Sequence, residues 1–274
     1  MKIALIGTCR ISSVRSHFDC TDFDNAISFV HSTKEILQLL RFITRRIEIP
    51  DPINRFCFRT AILNRQPVPY SESFLRQFDE ADLFVIEICA MRKYMYQGYY
   101  LHHLAVDRLF PFYVDSPQDV LLQTTIEHQD RQEIEEDISG IADMLYPRKM
   151  MIISHINASI GMDDADLKKG GLRAAFNRMK CFMIPSANEA YQGDPKLKSA
   201  TIEKREHLIN ILQSIAQNKG IHFFDPSIIF KRYRQKKVIQ FEKNGLPPSH
   251  YTDFGNKVIG RLYAEEIKRI IACG

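Results

Sequence analysis

Four short apolar runs stand out along the chain, at residues 3–6, 83–89, 150–153 and 221–224. Each is too short for a buried helix and ends in Gly, Cys, Ser or Asp, so each reads as a strand buried on both faces. A weaker run at 25–30 reads as a further strand. Between them the apolar spacing changes to that of helices. Ile36, Leu37, Leu39, Leu40 and Ile43 share one face, with Ser32 or Thr33 as the cap and Glu35 in the first turn. That helix runs to about Arg46, and Pro50 and Pro52 end the unit. Residues 54–80 are mixed, and Pro67 and Pro69 exclude a central strand there. Residues 129–145 form an acidic amphipathic helix, whose Asp130, Glu133, Glu135, Glu136 and Asp137 read as a solvated face. Residues 201–219 form a long helix burying Ile202, Leu208, Ile209, Leu212 and Ile215, with Gly220 as its C′ residue. A final helix covers 256–271.

Strands alternating with helices imply a parallel sheet with helices on both faces. The expected fold is therefore one three-layer α/β/α domain over 1–274. Its central, mostly parallel sheet has about five strands, with insertions around 92–148 and 158–198. No internal repeat or low-complexity tract interrupts it.

Composition narrows the function classes. The 274 residues are 45% hydrophobic and 26% charged, as in an ordinary globular protein. Net charge is +4, from 37 basic and 33 acidic residues, too balanced to argue for nucleic acid. No apolar run approaches the roughly 20 residues of a spanning helix. The N-terminus is strand-like, with no apolar signal core, so a cytoplasmic location is expected. The cysteines (Cys9, Cys20, Cys57, Cys89, Cys181 and Cys273) are scattered with no CxxC pair, so no metal site is expected and free thiols are.

Candidate chemistry gathers where strands end, because open α/β sheets bind ligands at the carboxyl ends of their strands. Thr8, Cys9 and Arg10 follow the first run. Cys9 beside a cation at a helix start suits a thiolate nucleophile, although a free Cys is as often a buried packing residue. His250 sits in a turn before the last helix, where it can serve as general base. Asp253 can orient it or cap that helix. His155 and Asn157 end a neighbouring strand. Glu87 is an acid inside a buried strand and needs a partner, for which Arg10 or Arg92 is available. Tyr94, Tyr96, Tyr99, Tyr100, His102 and His103 suit a cleft lining or a surface insertion. Lys168, Lys169 and Arg173, interleaved with glycines, read as a solvated loop or a phosphate-binding patch.

This arrangement resembles the SGNH/GDSL hydrolase superfamily over essentially the whole chain. The family's Gly-Asp-Ser, which carries the nucleophile, falls on Gly7-Thr8-Cys9, and its late catalytic histidine falls on His250. A Gly-x-Cys start is more similar to two offshoots, the GSCFA-type domains and the capsule-polysaccharide acetyltransferases. The latter bind coenzyme A and carry Gly-Asn-Cys-Gln here, against Cys9-Arg10 in this chain. Two departures stand out. The family's Asp before the histidine is Pro247, and its Gly-x-Asn motif falls near Glu87-Ile88-Cys89 with no Asn. The resemblance implies acyl transfer, of an acetyl group above all, to or from a hydroxyl on a small molecule or carbohydrate. Gly7, Thr8 and Arg10 would form the oxyanion region. No cofactor is required, although a coenzyme A thioester can be the acyl donor, bound by Lys168, Lys169 and Arg173. A hydrolase and a non-catalytic carbohydrate- or nucleotide-binding module remain the alternatives.

Overall fold

The computed structural model describes all residues except 24–26, 107–117, 158–194, 241–249 and 273–274, together with the backbone but not the side chains of 118–119 and 195–201. In chain order the elements begin with β1 (Lys2–Ile6), a 3-10 segment (Cys9–Ser16), β2 (Asp19–Thr21) and α1 (Thr33–Ile43). Next come α2 (Asp51–Cys57), α3 (Arg59–Asn64), α4 (Glu72–Asp79) and β3 (Leu83–Ile88). An inserted region carries β4 (Arg92–Tyr96), β5 (Tyr99–Tyr100), α5 (His103–Val106), α6 (Gln118–Leu122) and β6 (Thr125–His128). The chain then runs through α7 (Arg131–Leu145), β7 (Lys149–Ser154), α8 (Pro195–Lys219) and β8 (His222–Phe224). A second 3-10 segment (Pro226–Lys231), α9 (Gln235–Val238) and α10 (Asp253–Ala272) complete it.

The central sheet is five-stranded in the order β2-β1-β3-β7-β8, and every pairing is parallel. That is the doubly wound order with its switch point between β1 and β3. Side-chain alternation divides the buried residues between two faces. Ala4, Ile6, Phe84, Ile86 and Ile152 pack against α1 and its neighbours. Ile3, Leu5, Leu83, Val85, Met151 and Ile153 pack against Ile259, Tyr263 and Ile267 of α10. The expected α/β sheet of five strands is therefore present. No helix among the described residues is long and apolar enough to cross a membrane.

The structure departs from the sequence pattern in three places. The edge strand is Asp19–Thr21, not 25–30. Residues 27–31 meet the strand ends instead: Gly7 N donates to Ser28 O at 2.8 Å, and Cys89 N donates to His31 O at 2.9 Å. The insertion around 92–148 builds a sheet of its own, in which β5-β4-β6 pair antiparallel apart from the central sheet. Finally, the acidic run of α7 is only partly solvated. Asp137 is buried and accepts hydrogen bonds from Thr33 Oγ1 (2.7 Å), Lys34 Nζ (2.9 Å) and Gln129 Nε2 (2.8 Å), tying α7 to the start of α1.

Helix ends follow the sequence signals. Ser32 and Glu35 form the capping box of α1, and Gly220 takes the left-handed conformation after α8, with φ +64°. Together these elements bring β1, β3, β7 and the N-terminus of α1 to one edge of the sheet.

Candidate active site

The site begins with a turn that only glycine permits. Gly7 follows β1 with φ +145°, and a Cβ there would stand 2.6 Å from Glu87 Cβ. Gly7→Ala is expected to cost about 1–3 kcal/mol from crowding alone, before any backbone strain. Urea melts check this, and a variant as stable as the wild type would show the turn to be looser than drawn.

Glu87, almost wholly buried on β3, anchors the turn. Its carboxylate accepts from Thr8 N at 2.9 Å and from the Thr8 hydroxyl. It also accepts from Arg10 Nε at 2.6 Å, an ion pair with both partners buried. Burial alone would lower the Arg10 pKa, but the Glu87 charge beside it outweighs this and holds it above its ordinary value. Of the two arginines the sequence offers Glu87, the fold uses Arg10. The Thr8 N–H, expected to face an oxyanion, is already spent on Glu87.

Cys9 follows this turn directly, and His250 comes from the segment before the last helix. Cys9 opens the 3-10 segment and is exposed. Among the described residues its thiol makes no hydrogen bond. His250 is exposed, held by Gln240 N donating to its carbonyl at 2.9 Å and by the Ile239–Tyr251 bridge beside it. It stands near enough to His155 to help depress that ring's pKa. Asp253 is exposed in the first turn of α10, and its carboxylate makes no hydrogen bond among the described residues. Thr252 caps that helix instead, its hydroxyl accepting from Gly255 N at 3.0 Å.

Beside the turn lies a cavity of about 510 Å³. Arg10, Cys89 and His155 form its floor at the ends of β1, β3 and β7. The inserted sheet contributes Arg92, Tyr94 and His128. The entry to α1 contributes His31 and Glu35, with His103 alongside, and α8 contributes Lys204, Arg205, His207 and Leu208. Among the described lining residues are the cations Arg10, Arg92, Lys204 and Arg205 and one carboxylate, Glu35, and the Arg10 charge is already matched by Glu87.

Two titratable groups in it are tuned. Burial and the Arg10 charge lower the His155 pKa well below its usual value, so the ring is neutral. Its Nδ1 lies 2.6 Å from Ile156 O, which assigns the proton to Nδ1 and leaves Nε2 as an acceptor. Burial raises Glu35 to about 7, against hydrogen bonds from the Ser32 and His31 backbone that lower it. Its Oε1 is buried without a hydrogen bond. Glu35 thus holds its proton more tightly folded than unfolded, so between about 4.5 and about 7 its contribution to stability falls as pH rises. Buried neutral His31, His102 and His155 act in the opposite sense below 6.5, in wild type and variant alike. Glu35→Gln should therefore gain on the wild type as pH rises through that window, by on the order of 3 kcal/mol. Denaturant melts at several pH values measure the difference, and a constant difference would mean Glu35 titrates normally.

The residues picked out in the sequence thus divide into groups. Arg10, Arg92 and His155 line the cavity. Gly7, Thr8 and Glu87 build the turn. Asn157 is buried beneath, its N–H donating to Ser227 Oγ at 2.8 Å. Lys168, Lys169, Arg173 and Pro247 lie outside the described residues. His31, Glu35 and the α8 residues are added by the fold. Glu35 reads in sequence only as a cap, and Lys204 and Arg205 only as the polar side of an amphipathic helix.

The doubly wound sheet, with a Gly-x-Cys turn at its switch point, defines an α/β protein whose sheet is flanked by helices on both faces. Residues 1–119 match the family described as the TviD N-terminal domain. Vi polysaccharide biosynthesis protein TviD of Salmonella typhi is 22% identical over 95% of this chain. The chain spans only 31% of that relative's length. Among solved structures, the native aryl esterase of M. smegmatis is similar with a TM-score of 0.41 and 11% identity, covering 98% of each chain. A carbohydrate acetylesterase family member from Sinorhizobium meliloti gives 0.38 and 10%, covering 99% of each.

Proposed function

We propose that this chain transfers an acyl group, of acetyl size, to or from a hydroxyl on a carbohydrate. The observation that carries this reading is the Gly7-Thr8-Cys9 turn, locked by Glu87 at the switch point and set beside a basic cavity. The similarity to a polysaccharide biosynthesis protein supports a carbohydrate acceptor.

In the proposed reaction Cys9 Sγ, as thiolate, attacks the acyl carbonyl. The donor's leaving thiolate or alkoxide takes a proton from His250. The carbohydrate hydroxyl then gives its proton to His250 and attacks the acyl-Cys9 carbonyl, freeing the thiolate. In a variant of the reading, His250 activates the hydroxyl directly and Cys9 only lines the site. Asp253 would then bias the imidazole electrostatically. Within the cavity His155 Nε2 offers an acceptor to a bound hydroxyl. Arg92, Lys204 and Arg205 would hold an anionic group, such as the phosphates of a coenzyme A thioester. Lys168, Lys169 and Arg173 are proposed to extend this patch.

Titration of acetyl-coenzyme A by calorimetry tests the transferase direction. Lys204→Ala with Arg205→Ala should weaken binding by about tenfold or more and reduce its salt dependence, since charge-assisted contacts to phosphate are each worth roughly 1.5–3 kcal/mol. Hydrolysis of a small neutral ester should hardly change. Ester hydrolysis with no coenzyme A binding by the wild type would reassign the chain as a hydrolase. Neither activity, with carbohydrate binding retained, would make it a binding module.

A further inference from the structure

At the end of the cavity formed by α1 and α5, three imidazoles meet. His102 is fully buried, and His31 and His103 are half-buried and line the cavity. One ring nitrogen from each lies within 4.8 Å of the others. Ring centroids are 4.3 Å apart for His31–His103, 4.5 Å for His102–His103 and 5.0 Å for His31–His102. Simple aromatic packing does not account for the polar atoms. His31 Nδ1 and His102 Nε2 are buried with no hydrogen-bond partner. A buried polar atom left unsatisfied calls for an explanation, and a role in holding an ion is one.

The His102 ring is held from outside the cluster: it hydrogen-bonds the Phe29 backbone, and Leu104 N donates to its Nδ1 at 3.2 Å.

We propose that His31, His102 and His103 form a three-nitrogen site for a divalent ion of the zinc type, open on its cavity side. Imidazole ligands select borderline ions such as Zn2+ or Co2+ over Mg2+ or Ca2+. At Zn–N distances of about 2.1 Å, tetrahedral nitrogens stand roughly 3.4 Å apart, so the rings need only a small inward rotation. Three protein ligands leave a fourth position toward the cavity, where Glu35 and His155 stand. This inference does not depend on acyl transfer, since it concerns binding alone.

The test uses the tag-free chain, stripped with a chelator and dialysed. Titration with Zn2+ by calorimetry should show one equivalent bound at micromolar or lower concentration, with a rise in melting temperature. Co2+ should give visible bands of a four-coordinate site. His31→Gln and His103→Gln should each weaken binding by at least about 100-fold, more than loss of an outer-shell partner costs. His222→Gln, away from the cavity, should leave it unchanged. His102→Gln is the most severe variant, but its burial makes misfolding a risk, so the decision rests on the other two. No saturable binding of Zn2+ or Co2+ by the wild type would overturn the proposal, as would one-equivalent binding that survives both His31→Gln and His103→Gln. Loss of ion binding would leave the Cys9 and His250 assays unaffected as tests of acyl transfer.

Discussion

Glu87→Ala is expected to lower the unfolding free energy by about 3–5 kcal/mol, the usual cost of stripping one partner from a buried ion pair. The Arg10 guanidinium would stay buried beside the sheet with no carboxylate, and Thr8 N and Oγ1 would lose their acceptor. Glu87→Gln keeps the shape and some acceptor capacity, so it should cost less while still leaving the Arg10 charge uncompensated. The informative partner is the double variant Glu87→Gln, Arg10→Met. Removing both charges together should recover much of the loss, because apolar replacements of whole buried pairs are often close to neutral. A double-mutant cycle from urea melts gives the coupling directly. Single variants within about 1 kcal/mol of wild type would show that the pair does not organise the turn. The double variant should also be inactive despite its recovered fold, since Arg10 lines the cavity.

The same turn shows how far the sequence reaches. Long apolar runs specify β1, β3, β7 and β8 because burial on both faces leaves no polar alternation to confuse the period. Asp19-Cys20-Thr21 carries no such run. As an edge strand it pairs only with β1, so its sequence is nearly free. The inserted sheet is hidden for a different reason. Arg92 pairs with His128 and Lys93 with Glu127, so the strand exists through contacts made far along the chain. Residues directly after strands, such as Arg10 and His155, are legible as site residues because topology sends strand ends to the cleft. Glu35 is not, because its carboxyl serves as a helix cap through Oε2, and only the fold shows the residue lining the cavity with Oε1 unpaired. Asp137 reads as one of five exposed acids until Thr33, Lys34 and Gln129 are seen around it.

Cys9→Ala is expected to reduce acyl transfer to near background, and His250→Ala by about 100-fold or more, the usual contribution of acid–base catalysis. Neither side chain packs in the interior, since both are exposed, so melting temperatures should stay within a few degrees of wild type. Thiol chemistry gives a parallel readout. Cys89 is half-buried in the cavity floor, where desolvation pushes its thiol up to about 12, and Cys20, also half-buried, is pushed up to about 11. Cys57 is fully buried and raised further by burial. Only Cys9 among these is exposed, so iodoacetamide at neutral pH should label it first, and mass spectrometry should show activity lost in step with its modification. The pair of variants also separates the two forms of the mechanism. If Cys9 forms the acyl-enzyme, a Cys9→Ala chain fails to accumulate acyl-protein on brief exposure to the donor, while His250→Ala forms it slowly and turns it over poorly. If His250 activates the hydroxyl directly, Cys9→Ala keeps most of its turnover and no acyl-protein forms in any chain. A fully active His250→Ala enzyme would remove the histidine from both schemes and shift the base role to His155, which lines the cavity.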